Sequence, residues 1–228
     1  MIIQAVDVTK VYDTRGVETR ALNGVGLDLE FGEFCALAGP SGSGKTTLLN
    51  LLGALDTPTS GKIQIEGVEL SELSPGELSK LRLEKLGFVF QAYNLIPVLT
   101  ARENVEFVME LQGVSGAARR DRAMEVLERV GLGGLEDKRP LEMSGGQQQR
   151  VAVARAIASR PRVVLADEPT ANLDSDTATK LLELMTELNA EDGVTFLFST
   201  HDPLVMDTAR RVVRLRDGHV VDDERKSA

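Results

Sequence analysis

Apolar and polar positions alternate loosely over residues 2–11 and again over 22–31, the period-two pattern of half-buried strands, with Gly32-Glu33 reading as a turn. Phe34-Cys35-Ala36-Leu37-Ala38 is an unbroken apolar run, a buried strand, ending in glycines at 39, 42 and 44. Residues 45–52 then carry apolar side chains at helical spacing, so the local order is strand, glycine loop, helix. After a turn at Pro58-Thr59-Ser60-Gly61, the pattern predicts a strand at 62–66, a helix near 74–84 and a strand at 87–90.

From about 92 to 158 the period becomes helical. Thr100-Ala101-Arg102-Glu103 has the form of a capping box ahead of Val105, Phe107, Val108 and Leu111. A second helix is expected over 117–130, a break at Gly131-Leu132-Gly133-Gly134, and a third helix from near Ser144 towards Ser159. Strands return at 162–166, 194–199 and 211–216, with a helix over 174–189. Asp217-Gly218 suggests a closing hairpin turn, and Asp222 onward a frayed polar tail. The whole is α/β, a mixed core interrupted by a helical region.

Composition narrows the function classes. The 228 residues are 42% hydrophobic and 27% charged, ordinary for a soluble globular protein and enough for a sizeable core. No stretch approaches the roughly 20 apolar residues of a membrane span, and the N-terminus lacks the pattern of a secretion signal. The expectation is a cytoplasmic chain whose membrane role, if any, comes from a partner. A net charge of −9 argues against direct nucleic-acid binding. The single cysteine, Cys35, sits in the buried run and reads as an inert core thiol. The basic run Arg119-Arg120-Asp121-Arg122 reads as a solvated helix face, and His219 as a surface residue of the last hairpin.

Three segments carry chemistry. Gly39-Pro40-Ser41-Gly42-Ser43-Gly44-Lys45-Thr46, with Thr47 next, fits the phosphate-binding loop pattern between a buried strand and a helix. Glycines let consecutive N–H groups converge on one anion, and the helix start adds partial positive charge. Lys45 would reach the β- and γ-phosphates and the Thr46 hydroxyl would ligate Mg²⁺. Val163-Val164-Leu165-Ala166 is an apolar strand delivering Asp167 and Glu168 at its C-terminal end, where open α/β sheets place ligands. Asp167 suits the outer shell of Mg²⁺, and Glu168 suits the base or orienter for attacking water. Met143-Ser144-Gly145-Gly146-Gln147 is a second glycine-rich helix start offering donors to an anion; one nucleotide needs one such loop, so the second makes sense as part of a site on another subunit.

Ser144-Gly145-Gly146-Gln147 followed by Gln148-Gln149-Arg150 resembles the signature of the ATP-binding-cassette (ABC) ATPases, with Met143 in place of the usual Leu. The resemblance runs in order along essentially the whole chain. It implies that Tyr12 stacks on adenine, that 39–46 is the Walker A motif, and that Gln91 is the Q-loop glutamine touching Mg²⁺ and facing the membrane partner. It further implies that 163–168 is Walker B with the catalytic glutamate, that Ala171-Asn172-Leu173-Asp174 is a D-loop with an altered opening, and that His201 senses the γ-phosphate. Residues 92–105 are similar to the branch serving lipoprotein release, macrolide-type export and cell-division complexes. The implied fold is a phosphate-loop core (1–91 and 159–228) with an antiparallel β portion and a helical subdomain inserted over about 92–158. The implied function is an ATP-hydrolysing motor on the inner face of the membrane. Two copies would close on ATP, each site drawing Ser144, Gly146 and Gln147 from the other copy, beneath a transmembrane permease subunit. A soluble ABC ATPase acting on nucleic acid or the ribosome, and an ATP-binding switch without turnover, are the rival readings.

Overall fold

The computed structural model describes residues 1–14 and 16–226. Strands β1 (Ile3–Thr14) and β2 (Val17–Leu29) pair antiparallel, and β3 (Phe34–Ala38) leads through the glycine loop into helix α1 (Lys45–Leu52). Strand β4 (Ser60–Ile65) returns antiparallel to β1 and the short β5 (Val68–Glu69) pairs with β4, completing a four-stranded sheet in the order β2-β1-β4-β5. Helix α2 (Pro75–Lys85) and strand β6 (Leu86–Val89) precede three helices, α3 (Ala101–Leu111), α4 (Gly116–Arg129) and α5 (Gly145–Ala158). The remainder is β7 (Val163–Asp167), α6 (Ser175–Asp192), β8 (Thr195–Thr200), α7 (Pro203–Thr208), β9 (Arg211–Arg216) and β10 (His219–Arg225). The second sheet has the order β10-β9-β3-β8-β7-β6, parallel from β9 to β6, with β10 antiparallel at its edge.

Because successive side chains of a strand point to opposite faces, the central strands feed two cores. Phe34, Ala36, Val164, Ala166, Phe196 and Phe198 join one core with the inward residues of α3, α4, α5 and α6. Cys35, Leu37, Val163, Leu165 and Leu197 join the other with α1 and the four-stranded sheet. This explains the unbroken apolar runs: a strand covered on both faces has no polar side to show. Phe34 and Phe198, diagonal to each other across β3 and β8, meet as a tilted pair with ring centroids 4.6 Å apart.

The helix starts are where the residues predict. Ser74, Thr100 and Ser144 each form a reciprocal capping box with Glu77, Glu103 and Gln147. Two expectations are corrected. The tail from Asp222 is not frayed but continues β10, because Asp223 pairs with Arg211 and Asp222 and Glu224 with Arg214 across the strand pair. Nor is 119–122 a plain solvated face: Arg119 reaches Glu106 and Glu110 on α3, and Arg122 reaches Glu125. Helix α7 went unpredicted, being only six residues long and capped by the Asp202 side chain on the Leu204 N–H.

Candidate active site

The loop after β3 is held by close packing at two glycines. A Cβ on Gly39 would stand 2.2 Å from the Leu215 carbonyl oxygen, and one on Gly44, at φ +104°, would stand 2.6 Å from the Ala21 carbonyl oxygen. No side chain fits at either place. Lys45 is only 7% exposed, and its ammonium donates to the carbonyls of Gly39 (2.7 Å) and Pro40 (3.1 Å). Among the described residues no carboxylate pairs with it. The Ser43 hydroxyl is buried without a partner, and the N-terminus of α1 has no side-chain cap. A buried lone cation, an orphan hydroxyl and uncapped N–H groups around one loop fit an anionic ligand with several oxygens.

Parallel pairing of β7 with β8 sets Asp167 opposite Ser199, so the residues that follow each strand emerge side by side at the C-terminal edge of the sheet. The Thr46 hydroxyl lies 3.2 Å from each Asp167 carboxylate oxygen, bridging the loop to β7. Glu168 takes a left-handed backbone conformation at φ +45°, which costs about 1–3 kcal/mol; its N–H donates to the Ser199 carbonyl (2.9 Å). One carboxylate oxygen, Oε1, meets His201 Nδ1 at 2.9 Å, and the other, Oε2, is buried without a partner. Strain and an unpaired oxygen at one carboxylate mark a group held for work outside the fold's own stability.

The structure thus gathers Lys45, Thr46, Asp167, Glu168 and His201 at one edge. Pro40, Ser41 and Gly42 form the exposed crown of the loop, and Thr47 continues into α1. Tyr12 stands to the side on β1, its hydroxyl donating to Asp56 (2.9 Å) with Thr47 beside it. Gln91 is exposed, and its carbonyl accepts from Asn172 (2.9 Å). Ser144 and Gln147 are occupied with each other in their capping box, and Gly146 packs against Thr177 of α6. Among the described residues no hydrogen bond joins 144–147 to the loop at 39–46.

The supporting contacts of three residues are not legible in the sequence. Arg155 on α5 donates to the carbonyls of Tyr93 (2.9 Å) and Asn94, consecutive residues at φ +58° and +48°. Burial pushes its guanidinium below the usual arginine value. Gln149, buried on the same helix, donates to the Pro169 carbonyl (2.8 Å) just beyond Glu168. Asn172 ties 171–174 to Gln91. Each bond spans 20 or more residues, and no local pattern announces it.

Residues 22–171 match the family model described as ABC transporter. The chain belongs to this family. It is 49% identical over 225 residues to an uncharacterized ABC transporter ATP-binding protein of Thermotoga maritima, covering 99% of this chain and 96% of that one. It is 48% identical over 222 residues to the macrolide export ATP-binding/permease protein MacB of Hyphomonas neptunium, covering 97% of this chain but 34% of that protein; the chain spans about a third of the length of that relative. Among solved structures, the dimeric ATP-binding cassette MJ0796 of Methanocaldococcus jannaschii, in a post-hydrolysis state with ADP and Pi, superposes with a TM-score of 0.93 at 44% identity over the full length of both chains. This ABC cassette is an ATP-binding ATPase, and its fold is the ABC ATPase fold.

Proposed function

We propose that this ABC cassette is a motor in which two copies close head to tail over two ATP molecules, moving a separate transmembrane permease subunit. The observation that carries the reading is the meeting of Lys45, Thr46, Asp167, Glu168 and His201 at the end of β3, β7 and β8. Lys45 exchanges two carbonyls for phosphate oxygens, a stronger charge-assisted contact. The Ser43 hydroxyl and the uncapped start of α1 take further oxygens. Glu168 accepts the proton of the attacking water, while His201 orients the carboxylate through Oε1 and faces the γ-phosphate. Thr46, Gln91 and Asp167 offer the hard oxygen donors suited to Mg²⁺, which when bound would neutralise phosphate charge. Tyr12 stacks on adenine.

The capping box at Ser144 presents a helix start that no described residue of its own chain uses as an anion site, which supports its pairing with the γ-phosphate held by a second copy. The dimeric state of the MJ0796 cassette supports the same arrangement. We assign about 92–158 to a helical subdomain and 1–91 with 159–228 to the core. Between them lies a groove of about 620 Å³ lined by Phe88, Phe90, Ile96, Phe107, Leu111 and Arg155, which we take as the seat of the permease. No helix among the described residues is long and apolar enough to cross a membrane, so the cassette would sit peripherally on the inner face. The relative MacB is named a macrolide export ATP-binding/permease protein, which favours export as the coupled process, with lipoprotein release and mechanical signalling as the alternatives.

Size-exclusion chromatography of Glu168→Gln tests the mechanism. The variant is expected to elute as a dimer with ATP and a monomer with ADP, because unhydrolysed ATP stabilises the closed state. Adding Ser144→Arg should remove the dimer. A dimer that ignores nucleotide, or survives Ser144→Arg, defeats the shared site.

A further inference from the structure

Tyr12 is not a free aromatic at the rim. Its hydroxyl donates to Asp56 Oδ2 (2.9 Å), and the Lys10 ammonium lies 4.9 Å from the centroid of its ring. Lys10 in turn pairs with Asp56 Oδ1 (2.7 Å) and donates to the Thr57 carbonyl (2.7 Å), while the Thr57 N–H closes on the same Asp56 oxygen (2.7 Å). Lys10 is buried at 9% exposure, whereas Tyr12 is 37% exposed. The cation therefore lies over one face of a ring that keeps more than a third of its surface exposed. Residues 10 and 12 share one side of β1, two apart, and Asp56 arrives from the loop after α1, so the phosphate loop's own helix carries the tether.

We propose that Lys10 and Asp56 are positioning residues for the nucleotide base: together they hold the Tyr12 ring in one orientation, one face capped by the ammonium, the other presented to adenine. The proposal rests on the base-stacking role given to Tyr12 and adds what makes that stack rigid. An untethered tyrosine at a strand edge loses rotamer entropy when a base docks; a ring already clamped at its hydroxyl and its face does not. The clamp also leaves its mark on acidity. Burial alone would raise the Asp56 carboxyl, but the bonds from Lys10, Thr57 and Tyr12 outweigh it and hold the group below its ordinary value. Burial and the facing Asp56 push the Tyr12 phenol up.

Calorimetric titration of the whole chain with ATP and, separately, with inorganic tripolyphosphate, which has no base, tests this. Asp56→Asn, Lys10→Met and Tyr12→Phe should each weaken ATP binding about 3–10-fold while tripolyphosphate binding stays unchanged. Retained tripolyphosphate binding also reports that the variant is folded, and Tyr12→Phe, which removes only the tether, serves where a buried substitution unfolds the chain. Tyr12→Ala should weaken ATP at least as much, and Tyr12→Ala with Lys10→Met no further. Equal loss of both ligands, or ATP affinity that falls in Tyr12→Ala but not in the Lys10 and Asp56 variants, overturns the positioning role alone. Unchanged ATP affinity in Tyr12→Ala overturns the base-stacking reading and the proposal with it.

Discussion

His201 Nδ1 and Glu168 Oε1 stand 2.9 Å apart although 33 residues separate them in the chain. Groups joined this way act as one unit, so their losses should not add. Glu168→Gln and His201→Ala are each expected to slow phosphate release about 10²–10⁴-fold, and the double variant little more than the worse single one. Fully multiplicative losses in a phosphate-release assay would mean that the bond has no part in turnover.

Among the described residues Lys45 bonds only carbonyls, those of Gly39 and Pro40. Its replacement by alanine should leave the fold intact, because those carbonyls lie in a loop edge that water reaches, yet it should weaken ATP binding and end turnover. Thermal unfolding with and without ATP checks both halves. The wild-type chain should gain stability on adding nucleotide, and Lys45→Ala should gain little.

Arg155 holds the two left-handed residues that follow the Gln91 loop. Removing a charged donor that satisfies two carbonyls costs about 1.5–3 kcal/mol, so Arg155→Ala should lower the free energy of unfolding by that margin, with a lower urea midpoint, while Arg155→Lys recovers part of it. Urea titration of the three proteins gives the order directly. An alanine variant as stable as wild type would show that the Tyr93–Asn94 conformation holds without the guanidinium.

Cys35 has no exposed surface, and burial pushes its thiol up to about 12. The folded chain should therefore resist a disulfide-exchange reagent at about pH 8, and react with one equivalent only after denaturation. Rapid labelling of native protein would place the thiol on an opening segment instead.

Much of the architecture is legible in the chain because it is local. Unbroken apolar runs, glycines at 39, 42 and 44 and the boxes starting at Ser74, Thr100 and Ser144 each act over a few residues, and hydrogen-bond geometry turns each pattern into an element wherever it folds. The phosphate loop, the Asp167-Glu168 pair and the signature segment are therefore legible in the sequence by itself. Tertiary structure alone decided which of them meet. The pairing of Glu168 with His201 depends on β7 lying beside β8, and the clamp on Tyr12 depends on the loop after α1 returning to β1. Likewise Asp222 to Glu224 read as solvated charge until Arg211 and Arg214 stand opposite them. Polar side chains gain specific meaning from partners brought near by strand order, and strand order is set by burying both faces of the sheet at once, a property of the whole fold that no short window of sequence contains.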